Sequence, residues 1–236
     1  MHTFIIQTHL DDETQSLYGY IQRFSKTVLS SYNCLIGLQP ADIPNIPQFG
    51  DTPNVPLEPL VPQFDKWSTQ SIPLKENVNT IHVLVICGKG RDKLNGKLRK
   101  EAFKENLKLP NVTYDILNYQ DLKLNITDIP KIADAISATI QSYFPDRVII
   151  PSASDLHQDH SLVATASRIG LKNYDIPEIL EVYSPNNDKF TPSYYDTILK
   201  LNDVEIANKK HAIERYYTES LTLITEEKFG TLHREI

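Results

Sequence analysis

Cysteine is scarce: of 236 residues only Cys34 and Cys87 carry a thiol, and they lie far apart with no Cys-x-x-Cys spacing. That excludes a disulfide framework and a zinc-thiolate site, and both read as ordinary buried thiols. Positive charge is also in deficit. Asp and Glu number 30 against 24 Lys and Arg, a formal net charge of −6. A nucleic acid is therefore not the expected partner, because neutralising phosphates needs a basic surplus. The opening apolar run, Thr3 to Gln7, has no basic region before it and is far too short for a signal peptide or a membrane span. A cytoplasmic protein without membrane contact is expected. The Gly88-Lys-Gly90 turn lacks the further spacing of a dinucleotide fingerprint, which argues against a nucleotide-binding module.

What is present fits one well-packed domain. The hydrophobic fraction of 40% and charged fraction of 23% are ordinary for a globular chain of this length. Phe4-Ile5-Ile6 predicts a strand, followed by a polar loop and a helical pattern from about Glu13 to Leu29. Thr80 to Cys87 is a near-continuous apolar run of the kind found in parallel strands covered on both faces. Helix signals recur from Gly96 to Leu107 and from Ile129 to Phe144, and Val112 to Leu117 and Asp146 to Ile150 read as strands. This alternation predicts an α/β fold: a three-layer, Rossmann-like, mostly parallel sheet with helices on both faces. Eight of the fifteen prolines fall between Pro40 and Pro73. We read an insertion at about 39–76 in a single domain spanning 1–236, serving as a surface arm, a lid or an oligomer contact.

Two polar clusters follow predicted strands, where ligands bind in such folds. His9-Leu-Asp11-Asp12-Glu13 and Asp155-Leu-His157-Gln-Asp159-His160 supply imidazoles and carboxylates, the mixed nitrogen and oxygen donors that suit Zn²⁺ and related divalent ions. Two histidines and one aspartate would leave a coordination position for water, and a neighbouring carboxylate could take its proton.

These two segments resemble the His-Pro-Asp-Asp-Glu and Asp-x-His-x-Asp-His signatures of the LmbE-like, or PIG-L, family of zinc-dependent N-acetyl deacetylases. Further similarity lies in Tyr114 to Asp121, in Phe144-Pro-Asp-Arg-Val148, and in the closing segment from Asp203 to Tyr216. The resemblance implies that His9, Asp12 and His160 hold zinc, and that Asp11 is the general base toward water activated there. It implies that His157 steadies the oxyanion or protonates the departing amine, with Asp159 fixing the tautomer of a neighbouring histidine. Glu13 reads as a first-turn carboxylate favourable to the helix dipole.

The segment departs from the family in places. Leu10 replaces the usual proline, which removes a fixed φ and leaves loop rigidity in question. Tyr18 and Tyr20 stand where small residues are usual and are expected to reshape the pocket. The turn Gly88 to Asp92 is basic, so Lys89 or Arg91 is a candidate for meeting an anionic group on the substrate, and Asp121 for meeting substrate hydroxyls. The implied function is hydrolytic removal of an N-acetyl group from a small sugar-like molecule. Rivals are an amidase acting on a larger acyl group, nucleoside or amine, and a relative that binds without turnover. Fe²⁺ suits the same donors as Zn²⁺, and a homo-oligomer is left open.

Overall fold

The computed structural model describes residues 1–25, 79–184, 196–216 and 223–232. The proline-rich insertion and Cys34 lie outside the described residues. Strands β1 (His2–His9), β2 (Thr80–Cys87), β3 (Val112–Ile116), β4 (Arg147–Pro151), β5 (Glu178–Val182), β6 (Thr197–Lys200) and β7 (Glu226–Thr231) form one sheet in the order β3-β2-β1-β4-β5-β7-β6. The five strands from β3 to β5 run parallel. β7 joins β5 antiparallel, and β6 joins β7 antiparallel. This antiparallel edge has no counterpart in the sequence reading, because Thr197–Lys200 and Glu226–Thr231 are short and mix charge with apolar residues. Pairing with a finished sheet, rather than local propensity, makes them strands.

Side chains alternate across the parallel strands, as the pleat requires. Phe4, Ile6, Leu84, Ile86, Val148 and Ile150 enter one core with α3 (Ile129–Tyr143) and α4 (Gln158–Leu171). Ile5, Ile81, Val83, Val85 and Ile149 enter the other, which holds Tyr20 and Ile21 of α1 (Tyr18–Ser25) and Ala102 and Phe103 of α2 (Lys93–Asn106). Both faces of the sheet are therefore covered by helices. α2 begins at Lys93, ahead of the expected Gly96, because the Asp92 carboxylate accepts from the N–H groups of Leu94 and Asn95. Gly88 ends β2 where only glycine fits, since a Cβ there would lie 2.2 Å from the Leu117 carbonyl oxygen.

From β1 the chain steps outward to β2 and β3, then returns to the other side of β1 as β4. The carboxyl ends of β1 and β4 thus flank the point where strand order reverses, the crevice in which such sheets bind ligands. Both polar motifs start there.

The last helix among the described residues, α5 (Asp203–Glu214), is fastened by an ion pair with no solvent exposure. Lys209 Nζ donates to Glu227 Oε1 at 2.9 Å, and the same carboxylate accepts from Gly19 N–H and Tyr20 N–H at 2.8 Å each. α5, β7 and the start of α1 meet in this one group. Burial pulls the Lys209 amine down and pushes the Glu227 carboxyl up, and their mutual attraction opposes both shifts. Removing one partner strands the other in a dry site at a cost of about 3–5 kcal/mol. We expect Lys209→Met to lose stability of that order in urea unfolding, and a paired Lys209→Met, Glu227→Gln variant to recover most of it.

Candidate metal centre and active site

β1 delivers His9 at its last residue, and the chain turns at once through Asp11 and Asp12 into a π-helical turn, Glu13–Leu17. Asp12 Oδ2 accepts from the N–H groups of Thr8 at 3.0 Å and His9 at 2.7 Å, which leaves Oδ1 facing outward. Leu10 is buried, and its carbonyl oxygen accepts the Tyr216 hydroxyl at 2.5 Å, so this loop is fastened without the proline. The same hydroxyl oxygen lies 2.7 Å from Glu13 Oε1. Glu13 stands in the first helical turn as expected, yet it is wholly buried, and burial, reinforced by the charges of Asp11 and Asp12, pushes its carboxyl up to about 8.

After β4 the second motif folds on itself. Asp155 Oδ1 accepts from His157 N–H at 2.8 Å, and Asp155 Oδ2 lies 2.7 Å from His160 Nδ1. His157 caps α4, its Nδ1 accepting from Asp159 N–H at 3.2 Å. With Nδ1 used as an acceptor, the neutral ring carries its proton on Nε2 and presents a donor there. Burial, together with the positive charge of His160 and His9, lowers the His157 pKa and favours that neutral form.

His9 Nδ1, His160 Nε2 and Asp12 Oδ1 converge, with separations of 3.1 Å between the two nitrogens, 3.4 Å from His160 to Asp12 and 3.8 Å from His9 to Asp12. Donors around a tetrahedral zinc with bonds near 2.0–2.1 Å stand roughly 3.3 Å apart. The tautomers sharpen the fit. His9 Nε2 is 3.2 Å from Asp121 Oδ1 and 3.3 Å from Asp159 Oδ2, and His160 Nδ1 faces Asp155. In neutral rings those nitrogens carry the protons, so the remaining nitrogens turn two lone pairs toward each other. A cation between them removes the repulsion, and carboxylates behind both histidines are the usual support of a metal site.

Burial works against the imidazolium of both rings, but Asp12, Asp121 and Asp159 hold His9 well above its ordinary value. The same contest, won by the charge of Asp12 and by bonds to Asp12 and Asp155, raises His160 to about 9. Asp12 is driven well below the carboxylate range by His160 and His9 despite its burial. Other donor sets are near. His157 offers a nitrogen within 4.8 Å of His9 and His160, and Cys87 is similarly close to His9 and Asp159. Burial pushes the Cys87 thiol up to about 12, which disfavours the thiolate a metal would need.

Arg99, in the middle of α2 and absent from the sequence reading, joins the two sides of the site. It is buried, pairs with Asp11 Oδ1, and donates through Nη1 to Asp121 Oδ2 at 2.7 Å. Burial raises the Asp11 carboxyl and Arg99 restrains it. Asp121, whose carboxyl is lowered by its bonds to His9 and Arg99 in spite of burial, stands behind His9. Asp159 is buried beside it, with Oδ2 accepting from Leu122 N–H at 2.7 Å. The basic turn is peripheral. Arg91 Nε lies 3.8 Å from Asp121 Oδ2 with its side chain 62% exposed. Lys89 is exposed and is held by its backbone, between Tyr119 and Asp121. Nothing in residues 93–106 beyond an ordinary helix marks Arg99, although a lone arginine on a buried helix face is a usable signal.

A small cleft opens beside the triad, lined by Gln7, Asp12, Ser16, Leu17, Asp155 and His160 among others. Tyr20 takes no part in it. Its ring lies 4.4 Å from Phe24 and 5.7 Å from Phe229 in the core, so the expectation that it reshapes the pocket is corrected.

Residues 73–169 match the family model described as PIG-L, GlcNAc-PI de-N-acetylase, a span that contains the second motif but not the first. None of the curated proteins matches the chain. Among solved structures, N,N'-diacetylchitobiose deacetylase from Pyrococcus horikoshii is similar at 13% identity and a TM-score of 0.59, over 98% of this chain and 83% of that one. A deacetylase–teicoplanin complex gives 10% identity and a TM-score of 0.59 over 98% and 97%. GalB, the 4-carboxy-2-hydroxymuconate hydratase of Pseudomonas putida KT2440, gives 11% identity and 0.56 over 100% and 97%. At such identities the likeness concerns the fold, and the hydratase illustrates that one fold hosts more than one reaction.

Leu122, which reaches Asp159, does so at φ 59°, a left-handed conformation that costs a leucine about 1–2 kcal/mol. We expect Leu122→Gly to keep the Asp159 contact and to raise stability in thermal unfolding by up to about 1 kcal/mol, the flexibility of glycine in the unfolded chain offsetting part of the gain.

Proposed function

We propose that the chain, whose residues 73–169 match the PIG-L de-N-acetylase model, is a metal-dependent hydrolase removing an N-acetyl group from a small sugar-like substrate. The observation that carries this reading is the pair of imidazole nitrogens 3.1 Å apart, each ring backed by a carboxylate, with Asp12 Oδ1 completing the triangle. His9, Asp12 and His160 would hold the ion, for which Zn²⁺ is the first choice and Fe²⁺ the second. When bound, it would polarise the amide carbonyl and make water acidic near neutral pH.

The other residues supply proton handling and orientation. Asp11 follows the turn directly after His9, and its raised carboxyl moves toward the range in which a base both accepts and releases a proton at neutral pH. Arg99 fixes the direction in which that carboxylate faces. His157 offers Nε2–H to the carbonyl oxygen as negative charge develops there, the kind of aimed donor that lowers such barriers most. The departing amine must gain a proton to leave, and the proton that Asp11 takes from water is the one available for it. Asp121 and Asp159 keep the proton of His9 on Nε2, and Asp155 keeps that of His160 on Nδ1, so both rings remain ready as ligands. Arg91 and Lys89, on the rim, suit an anionic substituent of the substrate such as a phosphate.

The test is acetate release from a panel of N-acetylated amino sugars, nucleosides and amines. Zinc-loaded protein should release acetate from at least one sugar, chelation should abolish the activity, and Asp11→Ala should lower it by about 10²–10⁴-fold while still binding zinc. Stoichiometric zinc with silence across the sugars would contradict the substrate class. A second outcome follows from the histidines. Because a metal binds their neutral form, zinc affinity should fall as pH drops below about 9, the value to which His160 is raised, with protons released on binding. Isothermal titration at pH 6.5 and 8.5 reads this directly.

A further inference from the structure

Gln7 is 2% exposed, and among the described residues neither its side-chain nitrogen nor its oxygen has a hydrogen-bond partner. A buried primary amide left so bare destabilises the fold, and buried groups of this kind are nearly always satisfied. The sheet register says where it points. Gln7 pairs with Val85 and follows Ile5 by two residues, so its side chain lies on the face that holds Ile5, Val85, Leu17 and Val182. Leu17 and Val182 line the cleft beside the metal triad, as do Gln7 itself, Asp12 and His160. The free space there takes a group about the size of a water molecule. An acetyl methyl would need only the apolar wall of Leu17, Pro151 and Val182 and would leave the amide unpaired.

We propose that Gln7 reads a hydroxyl group carried next to the reacting carbonyl, so that a hydroxyacyl such as glycolyl is bound in preference to the acetyl group that the site also accepts. The amide can both donate to and accept from a hydroxyl. A site able to bond a hydroxyl favours the ligand that carries one, because its own polar groups are otherwise left less well paired. Retaining a costly polar residue on the floor of a reactive cleft follows the common exchange of stability for function. This inference rests on the metal-dependent acyl-hydrolase reading and specifies its substrate.

The experiment uses the full zinc-loaded chain and two small carboxylates of matched shape, glycolate and propionate, followed by NMR titration of their binding. Gln7→Leu and Gln7→Met are the variants, both close in volume and both relieved of the orphaned amide. The wild type should bind glycolate about tenfold more tightly than propionate. Both variants should take up zinc stoichiometrically, melt at higher temperature than the wild type, and lose or reverse the preference. Equal affinities in the wild type, or an unchanged preference in the variants, would make the amide a holder of water only and overturn the proposal. Failure of the wild type to bind zinc would instead overturn the metal reading, and this proposal with it, a result visible before any carboxylate is added.

Discussion

Two imidazole lone pairs meet across 3.1 Å at the carboxyl end of the central strand, and much of the surrounding structure can be understood as holding them there. Left to themselves the rings would turn away or take up protons. They are prevented from turning by carboxylates at their backs: Asp121 and Asp159 behind His9, Asp155 behind His160. Those carboxylates are in turn fixed by Arg99, by Leu122 N–H and by the turn that begins α4. The arrangement concentrates negative charge in a buried region, which is tolerable only because cations are interleaved with it: Arg99 permanently, and protons or a metal ion between the histidines.

The topology explains why this is affordable. β1 is covered on both faces and paired on both edges, so His9 is anchored by the most constrained segment of the chain. β4 ends beside it and supplies the second motif, with the strand order reversing between them. The first loop is further tied to the end of α5 by Tyr216, and α5 to β7 by the Lys209–Glu227 pair. A rigid scaffold thus spends its stability on a site whose members would repel one another in isolation.

Much of this was legible in the residues. Continuous apolar runs marked the parallel strands, and the two His/Asp motifs stood at strand ends, so the fold class and the convergence of His9, Asp12, His157 and His160 could be anticipated together. What escaped lacked a local signal. Arg99 looks like any helical arginine until tertiary packing buries it between Asp11 and Asp121. The β6 and β7 edge strands are created by partners rather than propensity. Tyr20 lies within a motif-adjacent helix whose rotation sends it to the core, which no spacing argument resolves without the neighbouring Phe24 and Phe229. Gln7 looked like one polar residue in an apolar strand, and what singles it out is the lack of a partner among the described residues.

The central claim is that His9, Asp12 and His160 surround one divalent ion. Anomalous diffraction from crystals grown with zinc, recorded on both sides of the zinc absorption edge, tests it most directly. The account predicts one strong peak in bonding distance of His9 Nδ1, Asp12 Oδ1 and His160 Nε2, with Asp121, Asp155 and Asp159 outside the coordination shell. A peak bound instead by Cys87 and Asp159, or none within this cluster, would contradict it.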